Sequence, residues 1–313
     1  VLAADSPLSV QVHPSKDRAI LGYIEENSKG VPLTSPVRNY KDQNHKPELV
    51  YAITSYKAMN GFRTVEDVLE IFDDLKLDLL SEKLNELVSL STKNILKDFF
   101  TYILNLDVEV KKKILEKLNN IDFSQLNSPL SREALQYSKG FLPYFPEDIG
   151  VLMPFVLNVI ELKPGDAMFL YAEVPHAYIK GVALEVMANS DNVLRAGLTN
   201  KHIDIDELIN NVNFESIKKD ELIMLPRKNG NRLIYPIPVR DFSFEIVDTI
   251  GMKNGHVDID VSSPEVIFCI EGETKVIRGN ETVILQRGEA AFIGQNAYNY
   301  ILSGEFKVSR AYV

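Results

Sequence analysis

Two short stretches carry side chains of metal-binding type at regular spacing. In Ser9-Val10-Gln11-Val12-His13 an amide and an imidazole stand two residues apart. In His45-Lys46-Pro47-Glu48 a lysine and a carboxylate do the same, ahead of the apolar run Leu49-Val50-Tyr51-Ala52-Ile53. Residues two apart on a strand project from one face, so Ser9, Gln11 and His13 point together, opposite Val10 and Val12, and Lys46 shares a side with Glu48. His176 follows a further pair of strands and can reach the same interior. Two imidazoles, one carboxylate and one amide suit a zinc ion with positions left for water or substrate, and Lys46 and His45 would sit beside it as acid–base or anchoring groups. Singly, each signal is weaker. His13 before Pro14 also reads as a turn residue, and His45-Lys46-Pro47-Glu48 reads equally as an exposed loop that opens a strand.

The segment Gly181–Asp204 adds Glu185, Asp191, Arg195 and Lys201 among small residues, with Gly197 permitting a tight turn near the bases. A planar guanidinium and a point-charge ammonium suit a phosphate. Ordinary surface charge beside a packed strand is the competing reading. His202 and His256 lie in polar contexts and read as surface residues.

Positioning such groups requires a scaffold, and the chain is long enough for one. Its 313 residues exceed what a single core usually supports, which predicts two or three domains. Against 34 Lys+Arg stand 44 Asp+Glu, a net charge of -10 that argues against a nucleic-acid partner. The single cysteine, Cys269, lies in an apolar run, which excludes an intrachain disulfide framework and points to a reducing cytoplasm. No apolar stretch approaches the ~18 residues of a membrane span, and the first residues lack the pattern of a signal peptide, so no membrane partner is expected.

Residues 1–63 read as strands and turns. From Thr64, a capping residue with Asp67 three positions on, apolar residues recur at helical spacing through about residue 148, and their stripes are expected to pack among themselves. Residues 149–225 and 226–313 return to strand patterning. An interrupted repeat orders these pieces. Pro47-Glu48-Leu49-Val50-Tyr51-Ala52-Ile53 parallels Pro264-Glu265-Val266-Ile267-Phe268-Cys269-Ile270. The stretch from Leu162 to Leu170 parallels that from Leu285 to Ile293, and each precedes an Ala-Tyr pair, Ala177-Tyr178 and Ala297-Tyr298. The chain therefore reads as mainly β, with two related barrels: one of residues 1–63 and 149–225, split by a helical insertion of residues 64–148, and one of residues 226–313. The second barrel keeps Glu265 at the place of Glu48 but has Asn296 at that of His176 and no Gln-x-His pair, so one zinc per chain is expected.

As a group, Pro7–Ala19, Asn39–Ile53 with its Tyr-x-Asp and His-Lys-Pro-Glu, and Pro175–Asp204 closely resemble type I phosphomannose isomerases along nearly the whole chain. The resemblance implies two cupin-like jelly-roll barrels, with an α-helical domain inserted in the first, and zinc-dependent interconversion of mannose 6-phosphate and fructose 6-phosphate through an enediol. It implies Gln11, His13, Glu48 and His176 as zinc ligands, and Arg195 and Lys46 at the reaction centre. Glu185 and Asp191 join Lys46 as acid–base candidates, with His45 assisting ring opening and Ser9 with Lys201 at the phosphate end. The expected partner is a small sugar phosphate and the expected assembly a monomer. Family members carry a further Trp-rich portion before the Gln-x-His strand; this sequence starts a few residues ahead of that strand and has no Trp. Closure of the first barrel and completeness of the phosphate end are therefore where a departure is expected. A cupin barrel with two His and a carboxylate can also hold iron for dioxygen chemistry, against which Gln11 and the basic residues argue. A catalytically silent sugar-phosphate-binding homologue is the other alternative.

Overall fold

At Thr64 the alternation of a strand gives way to helical spacing, and the chain changes structure there. The computed structural model describes every residue except Ser91, Lys93, Lys253 and Asn254. The Thr64 side chain accepts from the Asp67 N–H at 3.1 Å and caps the helix Val65–Leu75. Val68, Ile71, Phe72 and Leu75 form its buried face. Helices Asp78–Ser89, Ile95–Leu104, Val108–Asn120 and Pro129–Phe141 follow, and short helical turns continue to Val156. The strand resumes at Leu157, so helical structure runs eight residues past position 148. The run Ile149–Val156 misleads because every residue in it is buried, which erases periodicity.

The chain divides into two compact units, Val1–Glu185 with Asn189–Ile223, and Val186–Ala188 with Met224–Val313. In the first, nine strands, counted among the described residues, form a barrel-like sheet interrupted in sequence by the helical insertion. The strand His176–Met187 is its hub. It pairs with Leu2–Ala4, with Val10–Val12 and with Tyr56–Phe62, and neighbours Glu48–Ala52. Glu48–Ala52 in turn pairs with Ala167–Leu170, and Val10–Val12 with Leu194–Gly197. In the second unit eight strands, likewise among the described residues, form an antiparallel sheet in which Glu265–Arg278 and Asn299–Tyr312 pair along most of their length.

Residues 1–63 are not strands and turns alone: Lys16–Ser28 is a helix of 13 residues. Its pattern is concealed because its buried face is made by Ala19 and Gly22 while Leu21 and Ile24 are exposed. Gly22 is needed there, since a Cβ would collide with the Tyr40 ring. The insertion, too, departs from expectation. Its stripes do not pack only among themselves but share one core with the barrel residues Val10, Val12, Met59, Phe62, Val159, Ala177 and Leu194. Phe62 meets Phe100 edge-on and stacks on Phe214, each at 5.3 Å between ring centroids.

The repeat is matched bond for bond. Glu48 pairs with Leu170 and Tyr51 with Ala167, as Glu265 pairs with Ile293 and Phe268 with Ala290. The N–H of Gly165 donates to the Ala52 carbonyl at 2.9 Å, as that of Gly288 does to the Cys269 carbonyl at 2.8 Å. The Ala-Tyr pairs do not correspond, however. Tyr298 is exposed, and the buried tyrosine beside Glu265 is Tyr300, two residues on. The second unit neutralises its carboxylate internally. Arg310 Nε lies 2.7 Å from Glu265 Oε2 and its Nη1 2.8 Å from Glu245 Oε1, all three side chains being buried.

Phe62→Ala should cost about 3–5 kcal/mol, and strands and helices of the first unit should unfold in urea in one transition; a helical transition left at its wild-type midpoint would contradict the shared core. Arg310→Met should cost about 3–5 kcal/mol by stranding the buried Glu265, since Glu245 keeps Arg232 at 2.7 Å. Adding Glu265→Gln should recover part of that in thermal melts, whereas wild-type stability of the single variant would show that the guanidinium is not the counter-ion of Glu265.

Candidate metal centre

Two strands begin on a proline followed by an ionisable residue: Pro47 precedes Glu48 and Pro175 precedes His176. Proline's missing N–H is harmless at a strand start. His13 follows the strand Val10–Val12, whose valines are fully buried as the alternation predicts. Its carbonyl accepts from the Glu173 N–H at 2.7 Å, which ties the two imidazole-bearing segments to each other.

His13, Glu48 and His176 converge, each offering one ligand atom within 4.8 Å of the others, and all three are buried. The His13 Nδ1–H donates to the Asn192 carbonyl at 2.7 Å and the His176 Nδ1–H to the Val174 carbonyl at 3.0 Å. A carbonyl oxygen can only accept, so both neutral rings carry their lone pair on Nε2. Those Nε2 atoms lie 3.3 Å and 3.7 Å from the two Glu48 oxygens, and neither has a hydrogen-bond partner. Lone pairs facing a carboxylate in a buried place are stabilised by a cation among them, and ligands about 2.0–2.2 Å from zinc fall at about this mutual spacing. The donor set fits zinc.

Burial alone would raise the Glu48 carboxyl, but positive charge around it, on His13 and His176 when those rings are protonated and on Lys46, outweighs burial and holds the group below the ordinary carboxylate range. Burial, with His13 adding to it, lowers His176 to about 4 against the pull of Glu48, which keeps the ring neutral and able to ligate near neutral pH. Gln11 is the register partner of both His176 and Arg195, which puts its amide at the same edge. Lys46 Nζ lies 2.9 Å from Glu48 Oε1, reached from the segment ahead of the strand and not from the strand itself. Burial and the negative Glu48 raise Glu185, against Tyr178, Lys46 and His13. Burial also lowers the half-buried Arg195.

The remaining candidates lie further out. His45 is half-buried next to Lys46, and Ser9 is half-buried before its strand. Asp191 is exposed, and its backbone N–H, not its carboxylate, is what ties it to Asp42. Lys201 is exposed on the turn after Leu194–Gly197. That turn is shaped by Gly197, at φ 138 against the Gly150 backbone, and by the Asp148 carboxylate, which accepts from the Leu198 and Thr199 N–H groups at 3.0 Å each.

Three residues have contacts at the site that the sequence did not assign, although Tyr178 and Asp42 stand in its Ala-Tyr and Tyr-x-Asp pairs. Tyr178, fully buried, donates its hydroxyl to Glu48 Oε2 at 2.7 Å; the two-residue rule applied onward from His176 would have found it. Asp42 and Asn192 bind loop backbone, and their signal is weaker, because loops have no period.

The comparisons with known proteins agree with this centre. Residues 1–65 match the catalytic domain of type I phosphomannose isomerase, and residues 231–313 match the mannose-6-phosphate isomerase cupin domain. The mannose-6-phosphate isomerase of Salmonella typhimurium is 42% identical over 312 residues, covering 100% of this chain and 77% of that protein. The human one is 32% identical over 314 residues, covering 95% and 71%. A solved mannose 6-phosphate isomerase with zinc bound superposes with a TM-score of 0.90 at 41% identity, covering 99% of this chain and 77% of that one. A full-length likeness and a buried zinc-type donor set lead to one conclusion: the chain belongs to the type I phosphomannose isomerase family.

Proposed function

We propose that this chain interconverts mannose 6-phosphate and fructose 6-phosphate with one bound zinc. The observation that carries the reading is the pair of buried imidazole nitrogens turned toward Glu48, in a chain similar along its length to proteins named for that activity. The reaction moves a carbon-bound proton from C2 to C1 and a hydroxyl proton from O2 to O1. Gln11, His13, Glu48 and His176 would hold the zinc, which would supply positive charge to stabilise the negative charge that develops on the sugar oxygens.

The protein's own groups do the rest. Glu185 carries the carbon-bound proton: its raised pKa, caused first by burial and then by Glu48, makes it a stronger base than an exposed carboxylate. Lys46 and Asp191 are the other candidates, and of these Lys46 stands against Glu48 whereas Asp191 is exposed. Arg195, in register with Gln11, orients the sugar oxygens. His45 assists ring opening. Ser9 and Lys201 receive the phosphate, whose binding energy orients the reacting end.

The catalytic barrel is assigned to residues 1–63 and 149–225, the insertion to 64–148, and a barrel lacking metal ligands to 226–313. The reading includes a monomer in the cytoplasm, free of nucleic acid and membrane; the net charge of -10 weighs against a nucleic-acid partner.

Chelation should abolish turnover in a coupled assay for fructose 6-phosphate, and zinc should restore it; full turnover of a metal-free sample would refute the mechanism. Metal analysis should find His176→Ala empty and Glu265→Ala near the wild-type content of about one zinc, whereas loss of zinc on changing Glu265 would relocate the site. Arg195→Ala should lower kcat about 10²–10³-fold with zinc content kept, and equal loss of zinc and activity would make Arg195 a structural residue.

A further inference from the structure

Residues Lys41–Asn44, which lead into His45-Lys46-Pro47-Glu48, form neither helix nor strand, so no ladder of backbone bonds holds them in place. One side chain takes over that task. Asn192 is fully buried, and its Oδ1 accepts from the N–H groups of Lys41 at 2.7 Å and Asp42 at 3.2 Å. Its Nδ2 donates to the carbonyls of Asp42 and Asn44, each at 2.9 Å, and to Asp42 Oδ1 at 3.2 Å. The backbone carbonyl of the same residue receives the His13 Nδ1–H. Asn192 thus sets the tautomer of one metal ligand while fixing the segment that delivers another.

Asp42 answers from the other side. Its Oδ1 accepts from the Ser190 hydroxyl at 2.9 Å and the Asn44 N–H at 2.8 Å, and its Oδ2 from the Asp191 N–H at 2.8 Å. These donors are uncharged, so the carboxylate serves as a fixed acceptor rather than as half of an ion pair. Two residues beyond Asp42 in one direction, Tyr40 is anchored by a 2.5 Å bond from its hydroxyl to Glu207 and by its ring against Gly22. Three residues beyond Asn192, Arg195 stands in register with Gln11.

We propose that Asp42 and Asn192 are positioning residues for the isomerase reaction: a clasp that holds His13, the Lys46–Glu48 segment and the Ser190–Arg195 segment as one unit, so that metal and substrate groups keep a common frame. The inference rests on the isomerase reading. Both side chains bind loop backbone, the Ser190 hydroxyl and each other, and act through what they hold. Partners of this kind typically cost about 10–100-fold in metal affinity or activity when removed.

The test compares Asn192→Ala and the isosteric Asp42→Asn with wild type and with Thr64→Ala, which removes a helix cap in the insertion and serves as a control for general destabilisation. Zinc retention is measured by chelator competition, kcat and KM with mannose 6-phosphate, and melting temperature on each protein. Both clasp variants should lose zinc about 10–100-fold more readily and show a lower kcat with KM changed less, while Thr64→Ala melts lower yet keeps wild-type zinc retention and kcat. Should Asn192→Ala fail to fold, Asp42→Asn alone decides. Wild-type zinc retention and kcat in Asp42→Asn, or a Thr64→Ala that loses zinc and kcat as much as the clasp variants at a similar fall in melting temperature, would overturn the clasp. A wild-type protein inactive toward mannose 6-phosphate would instead refute the isomerase reading.

Discussion

A buried carboxylate faced by two imidazole lone pairs is unstable without positive charge, and the first unit is organised around that constraint. Glu48 is almost fully buried, with Nε2 of His13 and His176 at 3.3 Å and 3.7 Å. Isolated charge in such a place costs several kcal/mol, which is why buried carboxylates are paired or coordinate metals. Every other feature of the site serves this arrangement. Carbonyls at Asn192 and Val174 choose the tautomers, Tyr178 orients one Glu48 oxygen, and Lys46 lies against the other. Charge and its partners, rather than the pocket's shape, define the centre.

The second unit meets the same constraint by other means. It keeps the strand, the register and the carboxylate of the repeat, yet Arg310 supplies a covalently attached cation to Glu265 and Glu245. Its guanidinium bridges the two carboxylates, and Arg232 adds a second cation to Glu245 at 2.7 Å, so fixed side-chain charge stands where the first unit has a metal-type donor set. The two units therefore show two answers to one electrostatic demand: a site open to a metal and its substrate, and a closed ionic core.

Much of this was legible in the sequence because strand periodicity is a strict rule. The alternation of Val10 and Val12 with Gln11 follows from residues two apart sharing a face, and His13 continues it just past the strand end; Lys46 reaches Glu48 from outside the strand that starts at Glu48. The repeat placed Glu265 correctly because each copy conserves its hydrogen-bond register. Where the pattern lost contrast, reading failed. The helix Lys16–Ser28 buries small residues and exposes Leu21 and Ile24, and Ile149–Val156 is buried on all sides. Tyr300 was displaced by two positions because the turn before it holds a similar tyrosine. The Asp42 and Asn192 contacts join residues about 150 apart in sequence through a loop, and no local period encodes them.

If an exchangeable cation sits against Glu48, anomalous scattering recorded at the zinc edge from crystals of the zinc-loaded protein should locate it. A single strong peak is expected within bonding distance of His13 Nε2, His176 Nε2, Glu48 and the Gln11 amide, and none beside Glu265. A peak among Glu245, Glu265 and Arg310, or the lack of one at Glu48, would contradict that placement.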